Sequence, residues 1–141
     1  MNQANEVIVV FDSFLTEDIL RQGGSLSWKL DHERAKKCDY LICCCSNPDS
    51  ELKDSAFLLG KISDVVPSPE ETAPERWMIK ISEYALVNIP NVWKKWQNPV
   101  HYFNYEEIQA LEENLGKSLD ELDFQPVMKA KREPKPEAEP E

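Results

Sequence analysis

The apolar residues of this chain fall into short runs that are separated by polar, turn-forming segments. The two clearest runs, 40–45 and 56–66, have the composition and length of β-strands. The segment between them, 46–55, has strong turn chemistry, and the next segment, 67–75, contains three prolines that disfavour a central strand. No apolar run approaches the ~20 residues that a membrane-spanning helix needs. The chain is therefore expected to build its core from short strands.

The rest of the chain adds further short elements of both kinds. Alternation and β-branched runs predict strands at 6–11, 26–30, 76–86 and 101–103. Capping residues and acidic first turns predict helices at 16–22, 32–37 and 104–115, with a last turn from Ser118. The segment 87–99 contains two prolines and two tryptophans and is predicted to be irregular. Together these elements indicate an α+β domain, a small, partly closed, barrel-like antiparallel sheet with short flanking helices.

The negative charge is concentrated in the part of the chain that is predicted to fold. The chain has 26 acidic and 16 basic residues, a formal net charge of −10. In 129–141 four bases balance four acids, so 1–128 carries the whole excess. We predict a single globular domain over 1–128 and a disordered charged tail over 129–141. A domain this anionic repels phosphate backbones and attracts cations, so no nucleic-acid partner is expected.

The N-terminus and the cysteines favour a cytoplasmic protein. The first residues have no basic region before their short apolar stretch, so no signal peptide and no membrane association are predicted. Cys38 and the three consecutive cysteines at 43–45 have no second cluster to complete a zinc site. Neighbouring cysteines cannot easily pair with each other, because a disulfide needs separated Cα atoms. The segment 40–45 is interpreted as a buried strand in which cysteines serve as small apolar residues.

The chain lacks the sequence motifs of common catalytic sites. It contains no phosphate-binding loop, no GxGxxG and no HExxH, and its two histidines are His32 and His101. A cysteine nucleophile is disfavoured, because an apolar strand favours the thiol over the thiolate. We therefore expect a protein that is not an enzyme.

The loop 47–54 carries oxygen-bearing side chains at alternating positions. Carboxylate and amide oxygens are ligands that Ca²⁺ prefers on a turning loop. The loop resembles the first half of an EF-hand, but the glycine and the final bidentate glutamate of that motif are missing. We therefore predict an irregular Ca²⁺ site here, and a solvated hairpin loop with Lys53 as an internal counter-ion is the alternative. The candidate ligands are Asn47, Asp49, Glu51 and Asp54.

A second group of carboxylates begins near the end of the strand predicted at 56–66. No base lies between Ile62 and Glu75, so the acids repel each other and a bound divalent cation would remove that repulsion. The prolines of the loop reduce the entropy that is lost on ordering it. The alternative is an exposed acidic loop, and a third acidic stretch, 106–123, is expected to be a solvated helix face. The candidate ligands are Asp64, Glu70, Glu71 and Glu75.

In its size, its acidity and its carboxylate loops without an EF-hand, the chain resembles the CcbP family of cyanobacterial calcium-binding proteins. The resemblance covers most of 1–128 and transfers no ligand positions. It implies Ca²⁺ binding and sequestration, in calcium signalling linked to heterocyst differentiation. Our leading prediction is therefore a cytoplasmic Ca²⁺ buffer or sensor whose protein partner is unknown.

Two other functions stay open. The segments 56–63 and 76–85, followed by Ile89-Pro90 and Trp93, are similar to the small barrels of the PUA-like and EVE-like group. That resemblance covers 38–103 and implies binding of RNA or modified DNA. The third possibility is an acidic adaptor that binds a basic protein partner.

Overall fold

A computed structural model describes residues 6–12, 16–68, 76–94 and 96–127. Within these ranges one sheet curls into a half-barrel, accompanied by three short helices. The strands are β1 (Val7–Asp12), β2 (Gly24–Trp28), β3 (Tyr40–Cys45), β4 (Ala56–Pro67), β5 (Trp77–Ile89), β6 (Val100–Tyr102) and β7 (Gln125–Pro126). The helices are α1 (Thr16–Gln22), α2 (His32–Lys36) and α3 (Tyr105–Leu115), with a 3-10 turn at Leu119–Glu121. The predicted α+β class with a partly closed sheet is confirmed.

The strands follow the order β2-β5-β4-β3-β1-β6 across the sheet. β4 pairs along one edge of β5, while β2 and β7 share its other edge. All these pairs are antiparallel except β1 with β3, which run parallel from Val7 opposite Tyr40 to Asp12 opposite Cys45. The connection between β1 and β3 contains α1, β2 and α2, which is long enough for the crossover that a parallel pair requires. The sheet is therefore mixed rather than purely antiparallel.

Two hydrophobic cores lie on the two faces of the sheet. Alternate residues of β1 contact different cores, Val7 and Val9 on one face and Ile8 and Val10 on the other. The same alternation holds along β3. Because both strands are covered on both faces, their sequences are apolar almost without interruption. The first core also contains buried residues of α3, and the second contains buried residues of α1 and α2.

Local capping explains where the helices begin and end. The Asp31 side chain accepts hydrogen bonds from the backbone N–H groups of Glu33 and Arg34 at the start of α2. At α3, Asn104 and Glu107 form a reciprocal capping box. Gly116 ends α3 with a left-handed φ of 79°, the conformation that glycine adopts without a steric cost. These caps place α2 and α3 within one residue of their predicted bounds, and α1 spans the predicted residues 16–22.

The strand bounds differ more from the predictions, because pairing with distant strands sets them. β5 continues to Ile89, which pairs with Ala56, so its last three residues belong to the sheet and not to the irregular segment. β2 begins at Gly24 because its backbone pairs with Lys80. β7 was not predicted, and the predicted tail lies outside the described residues. No helix of the described part is long and apolar enough to cross a membrane.

Candidate functional site

The loop that connects β3 to β4 is closed at its neck by backbone hydrogen bonds. The N–H of Cys45 donates to the carbonyl of Ser55, and the N–H of Asp54 donates to the carbonyl of Cys45, both at 2.9 Å. The carbonyl of Asp54 accepts two further bonds of 3.0 Å, from the N–H groups of Val92 and Trp93. Both ends of the predicted Ca²⁺ loop are therefore fixed to the sheet and to the turn after β5.

The interior of this loop is organised by its own polar side chains. Asn47 Oδ1 accepts a hydrogen bond of 2.9 Å from the N–H of Asp49, and Ser50 Oγ accepts one of 3.0 Å from the N–H of Leu52. These are the local bonds by which Asn and Ser favour turns. Asp54 closes the loop with a φ of 68°, which non-glycine residues rarely adopt. The amide oxygen of Asn47 is thus already engaged in a turn.

The carboxylates of the loop do not surround a common centre. Asp49 and Glu51 are exposed, whereas the Asp54 side chain is only 17% exposed and lies 3.9 Å from Lys53 Nζ. Lys53 is thus the internal counter-ion that the alternative interpretation requires. Among the residues that the structure describes, no three acidic, histidine or cysteine side chains form a group that could hold a metal ion.

Of the second predicted group the structure describes Asp64, which lies near the opposite end of β4. Asp64 is exposed near the end of this strand, opposite Lys80, and its Oδ1 accepts a hydrogen bond of 2.8 Å from the N–H of Val65. Glu70, Glu71 and Glu75 lie outside the described residues. The strand rises ~3.3 Å per residue, so roughly 26 Å separate Ala56 from Asp64. Asp64 therefore lies far from the four candidates of the β3–β4 loop and cannot share one ion with them.

The structure contains a buried polar network that the sequence analysis missed. Asp12 at the end of β1 is 3% exposed and accepts a hydrogen bond of 2.6 Å from Ser25 Oγ on β2. Ser25 Oγ in turn accepts a bond of 2.8 Å from Trp28 Nε1. The one signal in the sequence is an acid that directly follows an apolar strand. The network connects β1 to β2, although three strands lie between them in the sheet.

Three of the four cysteines are core residues, as predicted, whereas Cys45 at the end of β3 is half-buried. Cys38, Cys43 and Cys44 are buried, and neighbouring Cys43 and Cys44 face different cores. Burial raises the pKa of Cys38 and of Cys44 to about 12, and it raises the pKa of Cys43 well above its ordinary value. These thiols stay protonated at neutral pH, whereas a cysteine nucleophile acts as the thiolate.

Both histidines are held against tryptophan rings. His32 stacks on Trp77 with 3.9 Å between ring centroids, and its Nε2 lies 3.0 Å from the carbonyl oxygen of Val65. His101 stacks on Trp96 at 3.7 Å, and its Nε2 lies 3.1–3.2 Å from both carboxylate oxygens of Glu107. Each histidine therefore joins neighbouring elements, and they lie on different cores of the sheet.

An open cleft of about 410 Å³ lies between α3 and the segment 89–96. Its apolar lining consists of Ile89, Pro90, Val92, Trp96, Phe103 and Leu111. The sequence gives no sign of this cleft, because it forms only where the irregular segment after β5 packs against α3.

Comparison of the sequence with models of known protein families and with curated proteins finds no match.

Proposed function

We propose that the protein is a non-enzymatic, non-EF-hand Ca²⁺-binding protein that acts as a cytoplasmic buffer or sensor. One observation carries the proposal: two exposed carboxylates, Asp49 and Glu51, lie on a loop whose ends are fixed by backbone hydrogen bonds. A loop with fixed ends loses less conformational entropy when it closes around an ion. Oxygen ligands on such a loop suit Ca²⁺, which accepts irregular coordination by 6–8 oxygens.

Ca²⁺ binding at this loop requires a rearrangement. Lys53 must leave the Asp54 carboxylate, and the side chains of Asp49 and Glu51 must turn towards a shared ion. Backbone carbonyls and water complete the coordination, as they do in other calcium loops. Because Val92 and Trp93 hold the carbonyl of Asp54, the rearrangement is confined to the tip between Ser46 and Lys53. This coupling of binding to a local change in shape favours a sensor over a simple buffer.

We propose a second, independent group at the other end of β4. Asp64 is exposed there and its carboxylate contacts only the backbone among the described residues. Glu70, Glu71 and Glu75 follow within a short stretch of sequence. Since Asp64 lies far from the β3–β4 loop, each group is expected to bind its own ion.

Isothermal titration with CaCl₂ after removal of metals by a chelator tests the proposal. We expect saturable heat, and at a hundredfold excess of free Ca²⁺ over the dissociation constant about 2.7 kcal/mol of added stability. The absence of both heat and a thermal shift at millimolar Ca²⁺ would overturn the proposed function. The same titration with MgCl₂ measures the preference between the two ions.

Paired variants identify the site. Asp49→Asn with Glu51→Gln removes two charges from the β3–β4 loop, and Glu70→Gln with Glu71→Gln removes two from the second group. Glu113→Gln with Asp123→Asn is the matched control, because it removes the same charge from two exposed positions elsewhere. We expect each test pair to abolish one binding event and the control pair to leave both. Equal weakening by all three pairs would mean that Ca²⁺ responds only to net charge.

A further inference from the structure

The cleft between α3 and the segment 89–96 has an apolar floor and one helical wall. Glu107, Ala110, Leu111 and Asn114 form this wall, at the three- and four-residue spacing that aligns side chains on one face of a helix. Ala110 and Asn114 are exposed, so the wall is open to solvent. The volume of about 410 Å³ lies within the range of roughly 300–1,000 Å³ that is typical of ligand sites.

The helix that forms this wall is strongly acidic. α3 contains no basic residue and four glutamates, namely Glu106, Glu107, Glu112 and Glu113. Glu107 contacts His101 and the backbone of Asn104, and Glu112 accepts a hydrogen bond from the N–H of Leu119. Glu106 and Glu113 are exposed and have no ion-pair partner within the described ranges. An apolar cleft therefore lies beside a helix with uncompensated negative charge.

Two aromatic rings contribute to the apolar floor of the cleft. Trp96 and Phe103 both line it, and their rings meet edge to face with centroids 6.3 Å apart. Among the described lining residues Lys94 is the one basic side chain, and it opposes the attraction of cations by the glutamates of α3.

We propose that this cleft docks a basic, amphipathic segment of a partner protein. The apolar side chains of that segment occupy the floor, and its lysine or arginine side chains lie against the exposed glutamates of α3. The choice of occupant follows from charge complementarity, which speeds association and selects the partner. The net charge of −10 attracts such a segment from a distance and repels anionic surfaces.

The first test uses a synthetic peptide as the probe. A fluorescein-labelled helical peptide of lysine and leucine is titrated by fluorescence anisotropy in the presence of a chelator, so the result does not depend on Ca²⁺. We expect saturable binding that is at least ~10-fold tighter than that of a matched peptide with serine in place of leucine. No saturable binding, or equal binding of the two peptides, would overturn the proposal.

A pair of substitutions on α3 distinguishes binding in the cleft from general attraction to the acidic surface. Ala110→Arg places a bulky cation in the cleft, whereas Gln109→Arg adds the same charge to the same helix at an exposed position outside the lining. We expect the first to weaken binding at least ~10-fold and the second less than ~3-fold. Equal effects would show diffuse attraction to the acidic surface, which contradicts the proposed cleft.

A third experiment tests whether the cleft prefers a positively or a negatively charged ligand. Lys94→Glu removes the opposing cation from the lining, and Lys80→Glu makes the same charge change on β5, outside the lining. We expect Lys94→Glu to strengthen binding of the lysine–leucine peptide more than Lys80→Glu does. Weaker binding after Lys94→Glu would mean that the cleft suits an anionic ligand, and the proposal would be wrong.

Discussion

At the scale of single residues, two glycines restrict the fold for different reasons. Gly24 begins β2 directly against the backbone of β5, where an added Cβ would lie 2.1 Å from the carbonyl oxygen of Ile79. Gly116 ends α3 with a left-handed φ, but an added Cβ there would have no neighbour within 4 Å. Gly24 is required for a close approach of two strands, and Gly116 for a backbone angle.

The same substitution at these two glycines is expected to have unequal effects. Gly116→Ala should lower the free energy of unfolding by about 1 kcal/mol, the cost of a left-handed conformation with a Cβ. Gly24→Ala should lower it by about 3 kcal/mol, because the backbone of β5 must move. Urea denaturation of both variants measures the difference, and equal losses would show that β2 can shift away from β5 at little cost.

Residue-level patterns gave reliable predictions where the determining neighbours are close in sequence. The starts of α2 and α3 can be predicted because the caps Asp31 and Asn104 bond to groups two and three residues away. The buried role of Cys43 and Cys44 followed from their apolar neighbours in the strand. The role of Asp12 could not be predicted, because its partner Ser25 approaches through tertiary structure.

At the scale of elements, α3 serves both the core and the cleft. Ile108 and Leu111 are buried in the first core, while Ala110 and Asn114 remain exposed beside the cleft. The start of the helix is fixed by the capping box, in which Asn104 Oδ1 accepts a hydrogen bond of 2.8 Å from the N–H of Glu107.

Removal of this cap is expected to loosen the first turn of α3. Asn104→Ala should cost about 1 kcal/mol and raise amide exchange at residues 105–108. Gln109→Ala is the control, because Gln109 is exposed on the same helix and its amide contacts only the Tyr105 hydroxyl. A similar rise in exchange for both variants would argue against the capping box as the cause.

Helices and strands also differ in how closely their bounds can be predicted from the sequence. Helix bounds were predicted closely, since caps are local. Strand bounds were predicted less closely, because pairing with another strand sets them: β5 ends at Ile89, which lies opposite Ala56, the first residue of β4. A two-residue strand such as β7 is too short to show a periodicity. The uninterrupted apolar sequences of β1 and β3 indicate burial on both faces, but they do not identify the partner strand, which is set by the crossover between them.

At the scale of the whole molecule, buried thiol and phenol groups make the stability of the fold depend on pH in the alkaline range. Burial raises the pKa of Cys38 and of Cys44 from 9.0 to about 12, and the pKa of Cys43 rises for the same main reason. Burial also raises the pKa of Tyr40, with Asp120 as a further cause, and that of Tyr102. The folded state keeps these protons after the unfolded state has released them. Stability is therefore fully present below about pH 9 and declines above it.

We expect the free energy of unfolding to decline from pH 9 towards pH 12, by up to about 1.4 kcal/mol per pH unit for each such thiol. Cys44→Ala should make this decline less steep. Val9→Ala, which shortens a non-titrating side chain of the same core, should lower stability equally at each pH. Urea denaturation at several pH values tests this, and identical slopes for Cys44→Ala and the unaltered protein would contradict it.

The candidate sites show the same division between local and distant information. The sequence located the acidic loop 47–54 and its internal counter-ion Lys53, because these depend on neighbouring residues. It could not show that α3 and the segment 89–96 enclose a cleft, because this depends on how the two segments pack in three dimensions.

The hydrogen bond between Asp12 and Ser25 has a consequence for the order in which the molecule assembles. β1 contacts β3, β3 contacts β4, β4 contacts β5, β5 contacts β2, and Ser25 of β2 returns to Asp12 of β1, which completes a ring. β2 leaves the ribosome early, yet its backbone partners at Trp77–Lys80 follow about fifty residues later. The nascent chain therefore contains β2 long before β2 can pair. The ring of contacts closes only when β5 has been synthesised.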